Sequence, residues 1–80
     1  MHELSLADAL LNEASVAAAN HGLRAVNRVG VRVGRLSGVA THALALAFEI
    51  LREGPVLGRA VLDIEDADGA DLRLTWLEGD

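Results

Sequence analysis

A short run of alternating residues near the middle of the chain limits the fold more than any other feature. Valine occupies every second position from Val29 to Val33, and the positions between and beside these valines hold glycine and arginine. Apolar residues at every second position predict a β-strand with one buried and one solvated face. Because β-branched side chains favour such a pleated surface, we assign a strand to residues 25–34.

Two segments with helical spacing flank this strand. The first is predicted to run from Ser5, as the N-terminal cap, to Asn20, and His21-Gly22 ends it because glycine accepts the left-handed conformation of a helix C-cap. The second is predicted to start at Ser37 and to end at Gly54-Pro55. Its apolar face is assigned to Val39, Ala43, Leu46, Ala47 and Ile50.

Two further strands are predicted near the C-terminus. Ala60, Leu62 and Ile64 form the apolar set of one, and Leu72, Leu74 and Trp76 form that of the other. A helical crossover predicts that the first two strands are parallel, and the short turn near 66–71 predicts that the last two are antiparallel. The expected fold is α/β, in the order α-β-α-β-β, with both helices on one face of a three-stranded mixed sheet.

Composition narrows the class of protein. The 80 residues form one small domain with no cysteine, two aromatic residues and a formal net charge of −5, which argues against a disulfide framework, a cysteine-based zinc site and nucleic-acid binding. No apolar run approaches a membrane span, and the N-terminus is acidic, so we expect a cytoplasmic protein without a membrane partner. An alanine-rich core favours an oligomer contact, for which Val61 and Leu77 are candidates.

Charge is distributed unevenly along the chain. Residues 24–35 contain four arginines and no acid, whereas residues 63–80 contain seven acids and one arginine. Neighbouring strands with opposite charges on their solvated faces would explain this distribution. The alternative is a basic strip that binds an acidic partner protein.

Few residues could carry chemistry. The chain has no cysteine, tyrosine or lysine and no glycine-rich phosphate loop, so we expect no catalytic residues, no organic cofactor and no enzyme activity. His21 fits a helix C-cap, and His42 fits a solvated helix face. His2 differs because the amine of Met1, backbone amide nitrogens at His2 and Glu3 and the imidazole lie close together. Such planar nitrogen sets suit Ni(II) or Cu(II).

The same residues carry a family resemblance. The N-terminal run from Met1 to Ala7 resembles the opening of the hydrogenase/urease nickel incorporation family, HypA, and the similarity continues in one register to about residue 65. The matching segments are His21-Gly22, Val29-x-Val31-x-Val33-Gly34-x-Leu36-Ser37-Gly38-Val39, Ala47-Phe48-Glu49, Glu53-Gly54 and Leu62-x-Ile64-Glu65.

The resemblance implies an α/β nickel domain over residues 1–80, with Ni(II) bound by Met1, His2 and Glu3. It also implies a HypB-type GTPase partner and a nickel enzyme client such as nickel–iron hydrogenase. Family members insert a zinc domain with two Cys-x-x-Cys pairs after the second predicted strand. Here a turn near 66–71 stands in its place, as in a natural paralogue or an engineered deletion, and no zinc is expected. Two functions follow: a nickel metallochaperone, or a nickel-independent interaction or regulatory module.

Overall fold

The computed structural model describes residues 2–80. The described residues form three helices and three strands in this order: α1 (Glu3–Asn20), β1 (Val26–Gly34), α2 (Thr41–Leu51), α3 (Gly54–Leu57), β2 (Val61–Ala67) and β3 (Leu72–Gly79). The expected α/β fold with a three-stranded mixed sheet is confirmed. Helix α3 was not predicted, because Pro55 reads in the sequence as a stop signal. The proline instead occupies the first turn of this short helix, where its missing N–H costs no hydrogen bond.

The core lies between the helices and one face of the sheet. Val29, Val31 and Val33 of β1 are buried, as their alternation predicts, and pack with Leu10 of α1 and Phe48 of α2 in one apolar cluster. Alanines at positions 7, 14 and 18 of α1 are fully buried. Because alanine is short, these positions allow the backbones of α1 and its neighbours to approach closely.

The order of strands in the sheet is β2-β1-β3. Strand β1 pairs with β2 in parallel, as expected, and with β3 antiparallel. The last two strands therefore run in opposite directions, but they flank β1 and do not form a hairpin with each other. This order places the arginines of β1 between two strands that carry acidic residues.

The connection from β2 to β3 closes over the C-terminal end of β1. The Gly34 N–H donates to the Asp71 carbonyl over 2.7 Å, and the Leu36 N–H donates to the Gly69 carbonyl over 2.8 Å. A Cβ at Gly34 would overlap the Gly69 carbonyl, so the crossing requires glycine there. Residues 68–71 are thus a short crossing segment rather than a hairpin turn.

A β-bulge in β3 reverses the predicted alternation of that strand. Gly30 pairs with Trp76, but the next residue of β1, Val31, pairs with Leu74, so Thr75 is the extra residue. Leu77 consequently packs against the core, and Trp76 lies on the opposite face, where a Cβ at Gly30 would overlap its indole. The expectation that Leu77 lies on the face away from the core is therefore wrong, whereas its part in an oligomer contact stays a prediction.

Two helix assignments also need correction. Helix α1 begins at Glu3 with His2 as its N-cap, so Ser5 lies inside the first turn. Helix α2 begins at Thr41 with Ala40 as its N-cap, and the Ser37 hydroxyl instead accepts a hydrogen bond from the nearby Val39 N–H at 3.2 Å. The buried face of α2 consists of Leu44, Ala47 and Phe48, whereas Leu46 and Ile50, predicted to be buried, are 59% and 65% exposed.

No helix within residues 2–80 combines the length and hydropathy needed to cross a bilayer.

Candidate metal site at the N-terminus

The N-terminal residues of the predicted nickel site stand at the start of α1. Met1 lies outside the described residues. His2 is the N-cap residue and is exposed, and Glu3 is the first helical residue. The imidazole of His2 forms no side-chain capping bond to the helix. Within residues 2–80, the first hydrogen bond of α1 runs from the Leu6 N–H to the His2 carbonyl over 3.0 Å.

The position of that first bond leaves the earlier amides outside the helical ladder. In an α-helix the N–H groups of the first turn have no carbonyl four residues earlier to which they could donate. The amide nitrogens of His2 and Glu3 are therefore open to a metal ion without loss of a helical hydrogen bond. This local geometry follows directly from the start of α1 at Glu3.

The side chain of Glu3 is engaged elsewhere. Its Oε2 accepts a hydrogen bond from the Ala40 backbone N–H over 3.1 Å, at the N-cap of α2. This bond lowers the pKa of the Glu3 carboxyl, against a smaller opposing effect of burial, because the N–H stabilises the charged form. The positive end of α2 favours the same charge. The contact joins residues 37 positions apart, so no local pattern in the sequence indicates it.

The other histidines do not join His2 in a side-chain site. His21 is the C-cap of α1, with Gly22 following at a φ of 67°, and His42 is exposed in the first turn of α2. Within residues 2–80, no group of three or more histidine, cysteine or acidic side chains is placed to hold a metal ion. A metal site here would depend on main-chain nitrogen donors.

An open apolar groove adjoins the N-terminal residues. It has a volume of about 540 Å³ and is lined by His2, Glu3, Leu4 and Ser5 of the N-terminus and by Ala43, Leu46, Ala47 and Ile50 of α2. Leu4, Leu46 and Ile50 are each more than half exposed. The helical spacing of Leu46 and Ile50 predicts that they are buried, so this surface is not expected from the sequence.

The open face of the sheet confirms the predicted pairing of charges between strands. Arg28 of β1 lies 3.4 Å from Asp63 of β2 and 3.7 Å from Glu78 of β3, and Arg32 lies 3.8 Å from Glu65. Most of the basic strip is thus matched by acids of the same chain. The alternative of a basic strip reserved for an acidic protein loses its main support.

Comparison with known families decides what kind of domain this is. Residues 1–71 match the family described as "Hydrogenase/urease nickel incorporation, metallochaperone, hypA". The chain belongs to the HypA family. The resemblance found in the sequence is thereby confirmed, and the shared segment includes the N-terminal Met1-His2-Glu3 and the whole of β2.

Individual HypA proteins show the same relationship. The hydrogenase maturation factor HypA of Chloroflexus aggregans is 46% identical over 66 residues, which cover 82% of this chain and 58% of that protein. HypA of Deinococcus radiodurans is 42% identical over 69 residues, covering 86% of this chain and 58% of that protein. The chain thus spans little more than half the length of these relatives.

Solved structures of HypA share the fold. The solution structure of the nickel metallochaperone HypA from Helicobacter pylori superimposes with a TM-score of 0.87 at 23% sequence identity, covering 99% of this chain and 97% of that one. A second HypA solution structure gives a TM-score of 0.78. At this level of identity the similarity establishes the α/β architecture of the domain.

Proposed function

We propose that this HypA domain is a nickel metallochaperone that binds Ni(II) through Met1, His2 and Glu3 and passes it to a nickel enzyme. The proposed donors are the amine of Met1, the imidazole of His2 and the backbone amide nitrogens of His2 and Glu3. Delivery proceeds by ligand exchange rather than by catalysis. The observation that carries the proposal is the start of α1, where these amides stand outside the helical ladder.

The chemistry of this donor set suits its cargo. Adjacent donors along a chain close small chelate rings, and a planar set of nitrogens fits Ni(II) better than tetrahedral Zn(II). The exposure of His2 leaves the ion open to an incoming ligand from the recipient. A chaperone needs such access, because its cargo has to leave.

The Glu3 carboxylate has a positioning role in this proposal. Its bond to the Ala40 N–H holds the first residue of α1 against the N-terminus of α2. The donor contributed by Glu3 is therefore its backbone nitrogen, and the side chain fixes the direction in which the N-terminal residues leave the domain.

Further expectations follow from family membership. We infer that the zinc domain of other members is absent at this point of the chain, since β2 and β3 are joined by residues 68–71 and the sequence has no cysteine. No zinc is then bound. The proposed partners are a HypB-type GTPase and a client such as nickel–iron hydrogenase, in the cytoplasm.

A Ni(II) titration of the untagged protein tests the proposal. A square-planar absorption band should saturate at one nickel per chain and should disappear in His2→Ala, while the far-ultraviolet circular dichroism stays unchanged. His42→Ala is the matched control, because it removes another exposed imidazole and should leave the band intact. Equal nickel binding by His2→Ala and the parent would refute the proposed site.

The apolar groove favours a second candidate function, a nickel-independent interaction module. Exposed Leu46 and Ile50 form a contiguous apolar surface with Leu4, and such surfaces on small domains mark protein contacts. If the domain is such a module, the His2→Ala variant should still capture the GTPase in a pull-down, whereas the Ile50→Asp variant should not. Capture that requires both nickel and His2 would instead favour the metallochaperone.

A further inference from the structure

Strand β3 forms one edge of the sheet. Because the order is β2-β1-β3, one side of β3 bonds to β1 and its other side offers unpaired backbone groups along Leu72–Gly79. An exposed strand edge of this length is a template for another strand.

The side chains of β3 are complementary to those of an antiparallel copy. When the strand is turned about a two-fold axis between Thr75 and Trp76, Arg73 comes opposite Glu78 of the other copy, and the reverse pair forms as well. In the same register, Leu74 of one copy comes opposite Leu77 of the other. Opposite charges and paired apolar residues both stabilise directly opposed positions in a sheet.

The bulge makes this register possible. Residues directly opposed in an antiparallel pair lie on the same face. In a regular strand Arg73 and Glu78 would lie on opposite faces, because five residues separate them. The extra residue Thr75 shifts the alternation, so both are exposed beside the arginines of β1, while Leu74 and Leu77 both pack toward the core.

Arg73 also lacks an acid at close range. It lies directly opposite Arg32 in the pairing of β1 with β3, and like charges in that position repel. Arg73 lines a small surface depression together with Asp68 and Asp71. Within residues 2–80, however, Arg73 forms no ion pair within 4.0 Å. A carboxylate arriving along the outer edge of β3 would relieve this repulsion.

An apolar trough runs beside the same edge on the core side of the sheet. Its apolar lining includes Val16 of α1, which is 61% exposed, Ala17 and Leu74, and Asn12, Glu13 and Asn20 line its polar side. A second copy on β3 would bring its own α1 alongside and cover these side chains. The apolar side chains of the trough would thus add buried area to the contact between the two strand edges.

The opposite edge does not offer a matching surface. Asp63 and Glu65 share the open face of β2, so an antiparallel pairing of two β2 strands would bring carboxylates together. That repulsion disfavours a symmetric contact there. An isologous pairing through β3 closes with two copies and leaves no strand edge free for a third at that side.

We propose that two copies of this domain pair antiparallel through the outer edges of β3, with Arg73 of each copy opposite Glu78 of the other. The result is a continuous six-stranded sheet with the N-terminal nickel site outside the contact. The contact does not depend on nickel.

Charge reversal provides a sharp test by sedimentation equilibrium. Arg73→Glu alone and Glu78→Arg alone each place like charges opposite one another in their homodimers, so each should shift the monomer–dimer equilibrium at least tenfold toward monomer. An equimolar mixture of the two variants restores opposite charges at both positions and should form a heterodimer. Arg59→Glu, at an exposed position outside β3, is the control and should dimerise like the parent.

Hydrogen exchange of the unaltered protein gives a second measurement that does not depend on the variants. Amides on the outer edge of β3 should exchange more slowly as protein concentration rises, whereas those of β2 should not change. A parent protein that stays monomeric at millimolar concentration, or a mixture of the two variants that does not associate, would overturn the proposal. Nickel binding by Arg73→Glu should equal that of the parent, so the dimer and the nickel site are tested separately.

Discussion

The carboxylate of Glu3 and the backbone N–H of Ala40 are joined by a 3.1 Å hydrogen bond between the starts of two helices. This bond connects the residues that carry the proposed nickel donors to the N-terminus of α2, and α2 forms one wall of the apolar groove. The metal site and the groove therefore share one structural support.

The Glu3 contact should make stability depend on pH. Its pKa is lowered below the ordinary value of 4.5 by the Ala40 bond, so the contribution to stability is present above pH 4.5 and is lost as the pH falls through the lower value in the folded state. Glu3→Gln should be less stable than the parent at pH 7, and the difference should vanish in acid. Urea unfolding followed by circular dichroism at both pH values checks this.

A matched control for that experiment is Glu13→Gln, which removes an exposed carboxylate in the middle of α1. It should leave the difference in unfolding free energy between the two pH values nearly as in the parent. A Glu3→Gln variant equally destabilised at both pH values would contradict the role assigned to the ionised carboxylate.

The two leucines of α2 should respond differently to truncation. Leu44→Ala removes a fully buried side chain and should lower the free energy of unfolding by about 2–5 kcal/mol. Leu46→Ala removes a side chain that is 59% exposed and should change it by no more than about 0.5 kcal/mol. Equal losses in chemical denaturation would show that the helix is rotated relative to the face described here.

A methyl group at Gly30 should displace Trp76. The Cβ of Gly30→Ala would overlap the indole, and overpacking of this kind costs about 1–3 kcal/mol. Because Trp76 is the only tryptophan, its fluorescence should shift to the red as the ring moves into solvent. Asn27→Ala, at an exposed position of the same strand, should leave the emission maximum unchanged; the same maximum in Gly30→Ala would contradict the stacking.

Arg28 should contribute a small, salt-dependent stabilisation. It lies between Asp63 and Glu78, with all three side chains largely exposed, so Arg28→Gln should cost at most about 1 kcal/mol in low salt. That cost should shrink in 1 M sodium chloride, because the Debye length there is about 3 Å and the salt screens the attraction between these charges. Thermal unfolding at the two salt concentrations, with Arg59→Gln as the control, measures the difference. A cost unaffected by salt would point to packing of the side-chain stem.

Local patterns predict the elements well and their arrangement less well. The valines of β1 and the glycine after α1 specify a strand and a helix end through neighbouring residues alone. Strand order is different, because the alternation in β3 is compatible with pairing to either β1 or β2. The acids on both outer strands and the crossing at Gly34 decide it, and both are contacts between distant parts of the chain.

The faces of α2 and β3 show where periodicity fails. Helix α2 is apolar on nearly every side, with Leu44, Leu46, Phe48 and Ile50 at alternate positions, so spacing alone does not select its buried face. In β3 the bulge at Thr75 reverses the alternation without any local signal such as glycine. The N-terminal donors can be identified from residue type and position, but the Glu3–Ala40 bond that orients them spans 37 residues.

In the proposed site, a backbone nitrogen of Glu3, rather than its carboxylate, binds nickel. Glu3→Ala keeps that nitrogen, whereas Glu3→Pro removes its proton at the first helical position, where proline is compatible with the helix. In a Ni(II) titration of untagged proteins, the square-planar band should saturate at one nickel per chain in the parent and in Glu3→Ala, and should be lost in Glu3→Pro. Loss of the band in Glu3→Ala, or its full retention in Glu3→Pro, would contradict the account.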